Sequence, residues 1–269
     1  MYQNEINEAV RNIKKKSIKC LSNFVYTKIK TGTDYEVISN EDAIMILDKE
    51  DYRVSGYYVA KDDEALVHLL KDVPKEIYIE RFHMEKEDEL SSLFLQAACK
   101  TYAKYIRITT TYKENPYHFG EKGRRKILEQ MYDETMPVFA EEKDAEEIFE
   151  LCKQEFDAIS DDIFSVEEWR KIIASKECMI VRENGKIVSL YRWRLDGKKL
   201  YSNVSINLGP ANLLYNLERF VFDKYWNEGI RTYYAWINME NTKALKRGPQ
   251  YIKEIISRKT ELYSSIYVK

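Results

Sequence analysis

From Pro137 to Lys269 the chain alternates short β-branched or aromatic runs with helical periodicities, in the order β-α-α-β-β-β-α-β-α-β-β. That alternation is the tightest constraint the sequence carries, because strands and helices interleaved in this way must pack as a sheet covered by helices. Pro137–Ala140 reads as a short strand. Asp144 is placed to cap a helix over 145–156 with Ile148, Leu151 and Cys152 inward. Ser165 and Glu168 fit a capping box that opens a helix through Ala174. Three strands follow, Cys178–Arg182, Ile187–Leu195 and Leu200–Ile206, joined by hairpin signals at Asn184-Gly185 and Asp196-Gly197. Asn207–Asn212 reads as a loop and 213–227 as a helix stopped by Gly229. Thr232–Ile237 is a strand, 239–247 a short helix ending at Gly248-Pro249, and Ile252–Ser257 and Glu261–Val268 are two closing strands.

The first half carries a shorter version of the same order. Helical spacing spans 4–22, and Phe24–Ile29 reads as a strand before a turn at Thr31–Asp34. Ala43–Leu47 and Val54–Val59 form a hairpin, and Asp62-Asp63 starts a short helix. Glu76–Phe82 is a strand, Glu87–Tyr102 a helix and Ile106–Tyr112 a strand. Asn115–Gly123 is loop and Arg124–Tyr132 helix, so the boundary is set near Asp133–Met136, giving domains 1–133 and 134–269. The expected class is α/β, with a mixed α+β sheet in each half and a diverged tandem repeat suggested by element order.

Composition narrows the function. With 269 residues, 44% apolar and 33% charged, the chain can bury two cores and keep a wet surface. A net charge of -2 provides no global basic field, which argues against nucleic acid as the main partner. No apolar run approaches the ~18 residues of a membrane span, and no signal peptide is legible, so a cytoplasmic protein is expected. Cys20, Cys99, Cys152 and Cys178 lack CxxC spacing and read as reduced thiols. His68, His83 and His118 are scattered, and no metal site is expected.

The order of the second half resembles that of the GNAT superfamily of acetyl-CoA-dependent N-acetyltransferases over roughly Pro137 to Lys269. Gly209-Pro210-Ala211 before a helix is similar to the end of the family's R/Q-x-x-G-x-G/A phosphate loop, whose helix-start N–H groups meet a pyrophosphate. Ile206 stands at the Arg/Gln position, and Pro210 lacks an N–H. Asn241-Thr-Lys-Ala244 resembles the family's N-x-x-A, where the Asn meets the pantetheine arm in the gap between two splayed strands. Asn238 or Asn241 serves equally as a plain helix cap. The family's general-acid tyrosine falls on Gly248, with Tyr251 three residues later as the possible substitute.

The resemblance implies acetyl-CoA as co-substrate and Val204, Ile206, Leu208, Gly209, Ala211, Asn212, Asn241 and Ala244 as its binding positions. It implies Tyr251 as the catalytic acid and a small-molecule or peptide amine as acceptor. Between Glu141 and Glu168 lie twelve acidic residues against Lys143 and Lys153. They read either as a wall favouring a cationic amine or as two solvated helix faces. Besides an acyltransferase, the departures at Ile206 and Gly248 fit a non-catalytic acyl-CoA-binding module. Two related halves also fit a tandem aminoacyl transferase using aminoacyl-tRNA.

Overall fold

The computed structural model describes residues 1, 3–15, 20–21, 35–49, 52–74, 76–117, 136–161, 163–246 and 255–269. They divide into two compact units, 1–106 with 262–269, and 107–261. The expected domains met instead at 133/134. The difference at the end of the chain arises because the last strand residues pair within the first unit.

In the first unit the elements are α1 (Gln3–Lys14), β1 (Cys20–Leu21), β2 (Glu36–Ser39), β3 (Ala43–Lys49), β4 (Val54–Ala60), α2 (Asp63–Asp72), β5 (Ile77–His83) and α3 (Ser91–Gln96). β1 and β3 both pair antiparallel with β4, β2 pairs antiparallel with β3, and β4 pairs parallel with β5. Residues 263–268 close the sheet antiparallel to β5. Strand alternation sorts β3 between two cores. Ile44 and Ile46 meet Ile6, Val10 and Ile13 of α1, whereas Ala43, Met45 and Leu47 meet Leu66, Leu69 and Phe94 from α2 and α3. Asp62 caps α2 as expected, its carboxylate accepting from Ala65 N–H at 2.9 Å.

Two long helices expected here are shorter. The first stops at Lys14, and Cys20–Leu21 is a strand residue pair rather than helix. The expected 87–102 helix is only Ser91–Gln96. Its start is delayed because buried Asp88 is drawn to Arg81 (Nε 3.2 Å from Oδ2), Tyr267 Oη (2.7 Å) and Leu90 N–H (2.9 Å). Its end is set by Ala98 in the left-handed region, φ 63°. The expected strand 24–29, the turn at 31–34 and the helix 124–132 lie outside the described residues.

β6 (Lys100–Tyr112) begins in the first unit and ends in the second. The second unit then runs β7 (Val138–Phe139), a 3-10 turn (Glu142–Asp144), α4 (Ala145–Glu155), α5 (Val166–Ala174), β8 (Cys178–Glu183), β9 (Lys186–Asp196), β10 (Lys199–Asn207), α6 (Ala211–Asn227), β11 (Thr232–Asn238) and α7 (Thr242–Leu245). β12 (Ile256–Val268) starts in this unit. It is one strand where two were expected, because Arg258-Lys259-Thr260 contains no turn-forming residue.

Within this unit β7, β8, β9 and β10 pair antiparallel in that order, and β11 joins parallel to β10. One face is covered by α6, which packs Leu217 and Val221 with Tyr191, Trp193 and Leu200. The other is covered by α4 and α5, which pack Ile148 and Trp169 with Leu190, Val204 and Ile206. The Ser165–Glu168 capping box forms in both directions. Asp144, expected to cap α4, instead accepts from Glu141 N–H at 2.8 Å within the preceding turn. Asn184 and Gly185 take φ 51° and 77°, the geometry of a tight hairpin turn.

Burial pushes the Asp88 carboxyl up, but donors from Tyr267 and Leu90 and the Arg81 charge outweigh it and hold the group below its ordinary range. A depressed carboxyl stabilises fully above its unfolded-state pKa and ceases to do so as pH falls through the folded one. Urea midpoints measured between about pH 6 and about pH 3 should therefore fall for the native chain. Asp88→Asn should lose roughly 1–3 kcal/mol at neutral pH and show a shallower acid limb.

Candidate functional site: a forked strand pair and the helix start beside it

β10 and β11 pair in parallel only from Lys199↔Thr232 to Ser202↔Ala235. Beyond that point β10 continues to Asn207 and β11 to Asn238 with no register between them. A bulge coincides with the fork: against β9, Ser202 pairs with Trp193 and Val204 with Arg192, so Asn203 is the extra residue.

The bulge reverses which residues face which edge. Leu208 N–H donates to Val188 O at 2.8 Å. The two-residue alternation of an antiparallel ladder then turns the backbone of Ile206 and Val204 toward β9 as well. Ser205 and Asn207 present their N–H and C=O groups to the fork. Val204 and Ile206, expected to offer backbone groups to a ligand, instead hold the strand to β9 and bury their side chains under α4 and α5. Sequence pattern could not reveal this, since one inserted residue flips the parity.

Downstream, Asn207 ties the loop down. Its Nδ2 donates to Gly209 O at 2.9 Å and Pro210 O at 3.1 Å. Gly209 lies under Leu213: a Cβ there would stand 2.6 Å from Leu213 Cδ1. Pro210 is the N-cap of α6, which begins at Ala211, two residues earlier than expected. No side chain caps the helix and no acidic residue lies in its first turn. The N-terminal N–H groups of a 17-residue helix therefore carry their partial positive charge without a side-chain acceptor. Leu208 and Ala211 are exposed and Asn212 is half-buried.

At the end of β11, Asn238 Oδ1 accepts from Glu240 N–H at 2.9 Å and Asn241 Oδ1 accepts from Ala244 N–H at 3.0 Å. Both asparagines act as local caps. They delay its start, so α7 spans Thr242–Leu245 where a helix from 239 was expected. Asn241 Nδ2 is not needed for the cap. Gly248 and Tyr251 lie outside the described residues.

Sequence reading overlooked the polar group at the bulge. Asn203 Nδ2 donates to Tyr201 Oη at 3.0 Å, and its Oδ1 accepts from Arg192 Nη1. Tyr201 stacks on Tyr234 with centroids 4.6 Å apart, and Tyr234 Oη donates to Asp196 Oδ2 at 3.0 Å. Burial drives the Arg192 guanidinium pKa down. An arginine among apolar strand neighbours was the available signal.

The acidic helices are largely engaged in ion pairs. Arg182 Nη2 meets Asp144 at 2.8 Å and Glu147 at 2.7 Å, and Arg170 meets Glu146 and Glu167. Those pairs fit two solvated helix faces. Burial pushes the Cys152 thiol up to about 12 and Cys178 higher, so neither supplies a thiolate at neutral pH. Among the described residues no three His, Cys, Asp or Glu side chains group as a metal site, and no helix is long and apolar enough to cross a membrane.

No family model and no curated protein matches the sequence. Solved structures do. A GCN5-related N-acetyltransferase from Sphaerobacter thermophilus superposes with a TM-score of 0.53 at 13% identity, over 85% of this chain and 76% of that one. A functionally unknown conserved protein from Staphylococcus epidermidis gives 0.51 at 9% identity over 92% and 98%. A glucosamine N-acetyltransferase region of a fungal multi-domain β-N-acetylglucosaminidase gives 0.51 at 8% identity, over 84% of this chain and 31% of that one. The chain has the fold of the GCN5-related N-acetyltransferases.

Asn207→Ala should free the Gly209 and Pro210 carbonyls and lower the unfolding free energy by about 1 kcal/mol, read from urea denaturation.

Proposed function

We propose that the chain is an acyl-CoA-dependent N-acyltransferase, with acetyl-CoA the first donor to test. The observation that carries the reading is the coincidence, in one unit with this fold, of a forked parallel strand pair and an uncapped helix start at the end of the same strand.

Such a donor fits the residues present. The N–H groups opening α6, beside the small residues Gly209 and Ala211, suit a pyrophosphate. The Ser205 and Asn207 backbone edge suits an amide-containing arm, and Asn241 Nδ2 faces no cap bond of its own. Ile206 contributes no side chain to phosphate, being buried under α4 and α5. The donor, when bound, supplies a thioester carbonyl open to attack by an amine.

The chain's part in that reaction is to hold and polarise. A β10 N–H turned into the fork stabilises charge developing on the carbonyl oxygen. The amine must lose a proton and the departing sulfur must gain one. We assign the second transfer to Tyr251, three residues after the family's position in sequence.

Calorimetric titration of acetyl-CoA into the full chain tests the reading. Micromolar binding that weakens at least about tenfold in Gly209→Trp is expected, equivalent to ~1.4 kcal/mol. A folded native chain that fails to bind acetyl-CoA overturns it. Binding without turnover on any amine would assign the site to a non-catalytic module, which buried Ile206 at the Arg/Gln position favours.

A further inference from the structure

We infer that the chain binds a single acyl-CoA, in the second unit alone, because the first unit holds a fork of the same kind whose donor path is taken by its own strand β1. The inference rests on the acyl-transfer reading and fixes the donor stoichiometry of that site.

β4 and β5 repeat the geometry of β10 and β11. They pair in parallel only at Val54↔Ile77 and Ser55↔Tyr78, after which β4 runs on to Ala60 and β5 to His83 with no register between them. Helix α2 follows β4 as α6 follows β10. Lys61 N–H donates to Asp42 O at 2.9 Å. Alternation along β4 then turns the backbone of Tyr57 and Val59 toward β3, and that of Tyr58 and Ala60 toward the fork. Tyr58 and Ala60 thus stand in the first unit where Ser205 and Asn207 stand in the second.

The two forks differ in what lies on that edge. β3 pairs with β4 from Val54 to Ala60 and takes one edge of it completely. β1 also pairs with β4, Cys20 with Ala60 and Leu21 with Val59. A strand has only two hydrogen-bonding edges, so β1 lies on the edge that β5 has left. It occupies the stretch between the branch point at Ser55 and the start of α2, where the amide-containing arm of a donor would run. What is left of the fork is a recess of ≈ 340 Å³, counting the solvent at its mouth, whose lining includes Ser55, Tyr57, Tyr78 and Glu80. β1 separates that recess from α2, so an arm seated there could not also bring its phosphates to the helix start. Among the described residues, β10 has no such strand on its fork edge.

Charge at the helix start acts in the same direction. Asp62 caps α2, accepting from Ala65 N–H at 2.9 Å, and Asp63 and Glu64 stand in its first turn. Carboxylates at a helix N-terminus already answer its dipole and repel a pyrophosphate. Lys61, 4.0 Å from Asp62, offsets only part of that charge. α6 has neither a side-chain cap nor acids in its first turn. The first unit therefore keeps the frame of a donor-binding half and uses its fork to anchor a strand of the same chain.

Calorimetric titration of acetyl-CoA into the full chain should give one site per chain, and folded Gly209→Trp should retain no second saturable site. Asp63→Lys combined with Glu64→Lys removes the repulsion but leaves β1 in place, and the count should stay at one. Independently of any donor, the Ala60 amide of the native chain should exchange hydrogen at least about 100-fold more slowly than an open-chain amide, read by NMR. Two sites per chain, a saturable site surviving in Gly209→Trp, a second site appearing in the double variant, or fast exchange at Ala60 overturns the inference and leaves the acyl-transfer reading standing. Failure of the folded native chain to bind acetyl-CoA overturns that reading and the stoichiometry with it.

Discussion

The parallel ladder between β10 and β11 ends at Ser202↔Ala235, and much of the second unit follows from that termination. Backbone groups released from one ladder must find another partner or stay accessible. On β10 they are released just where Asn203 is inserted against β9. The bulge lets the strand remain bonded to β9 while its other edge changes parity. A strand without the extra residue would present Val204 and Ile206 to the fork and turn Ser205 inward, against the apolar packing of α4 and α5.

Packing on the two faces keeps the fork in place. Trp169, Leu190, Val204 and Ile206 form one side, Trp193, Leu200, Leu217 and Val221 the other. Trp193 is also tied to α6 by its indole N–H, which donates to Tyr225 Oη at 3.0 Å. The helix whose N-terminus follows the site is thereby fixed to β9. Position and charge at the site are consequences of one sheet rather than of separate loops.

The departures from the family's loop have physical counterparts. A long polar side chain at position 206 would point into the α4/α5 core, where apolar Ile206 is well accommodated. Pro210 forgoes an N–H, but at the cap position its fixed φ suits entry into α6. Charge missing from the loop is not replaced nearby by acidic α4, whose carboxylates pair with Arg182, Arg170 and Lys153.

Element order, the two hairpin turns, the Ser165–Glu168 box, the Asp62 cap and the Gly209 loop before α6 were legible in the chain, because each depends on neighbours within a few residues. The resemblance to the acetyltransferase fold rested on that order, and the solved structures bear the fold out at identities of 8–13%. Local signals were less reliable where a distant residue intervened. Asp88 looked like part of a helix until Arg81 and Tyr267 drew it into a turn, and the final strand joined β5 across the length of the chain. The bulge at Asn203 and the parity of Ser205 and Asn207 were decided only by tertiary structure. They depend on which strand lies beside which, and in what register, and a sequence read along one dimension does not contain that register.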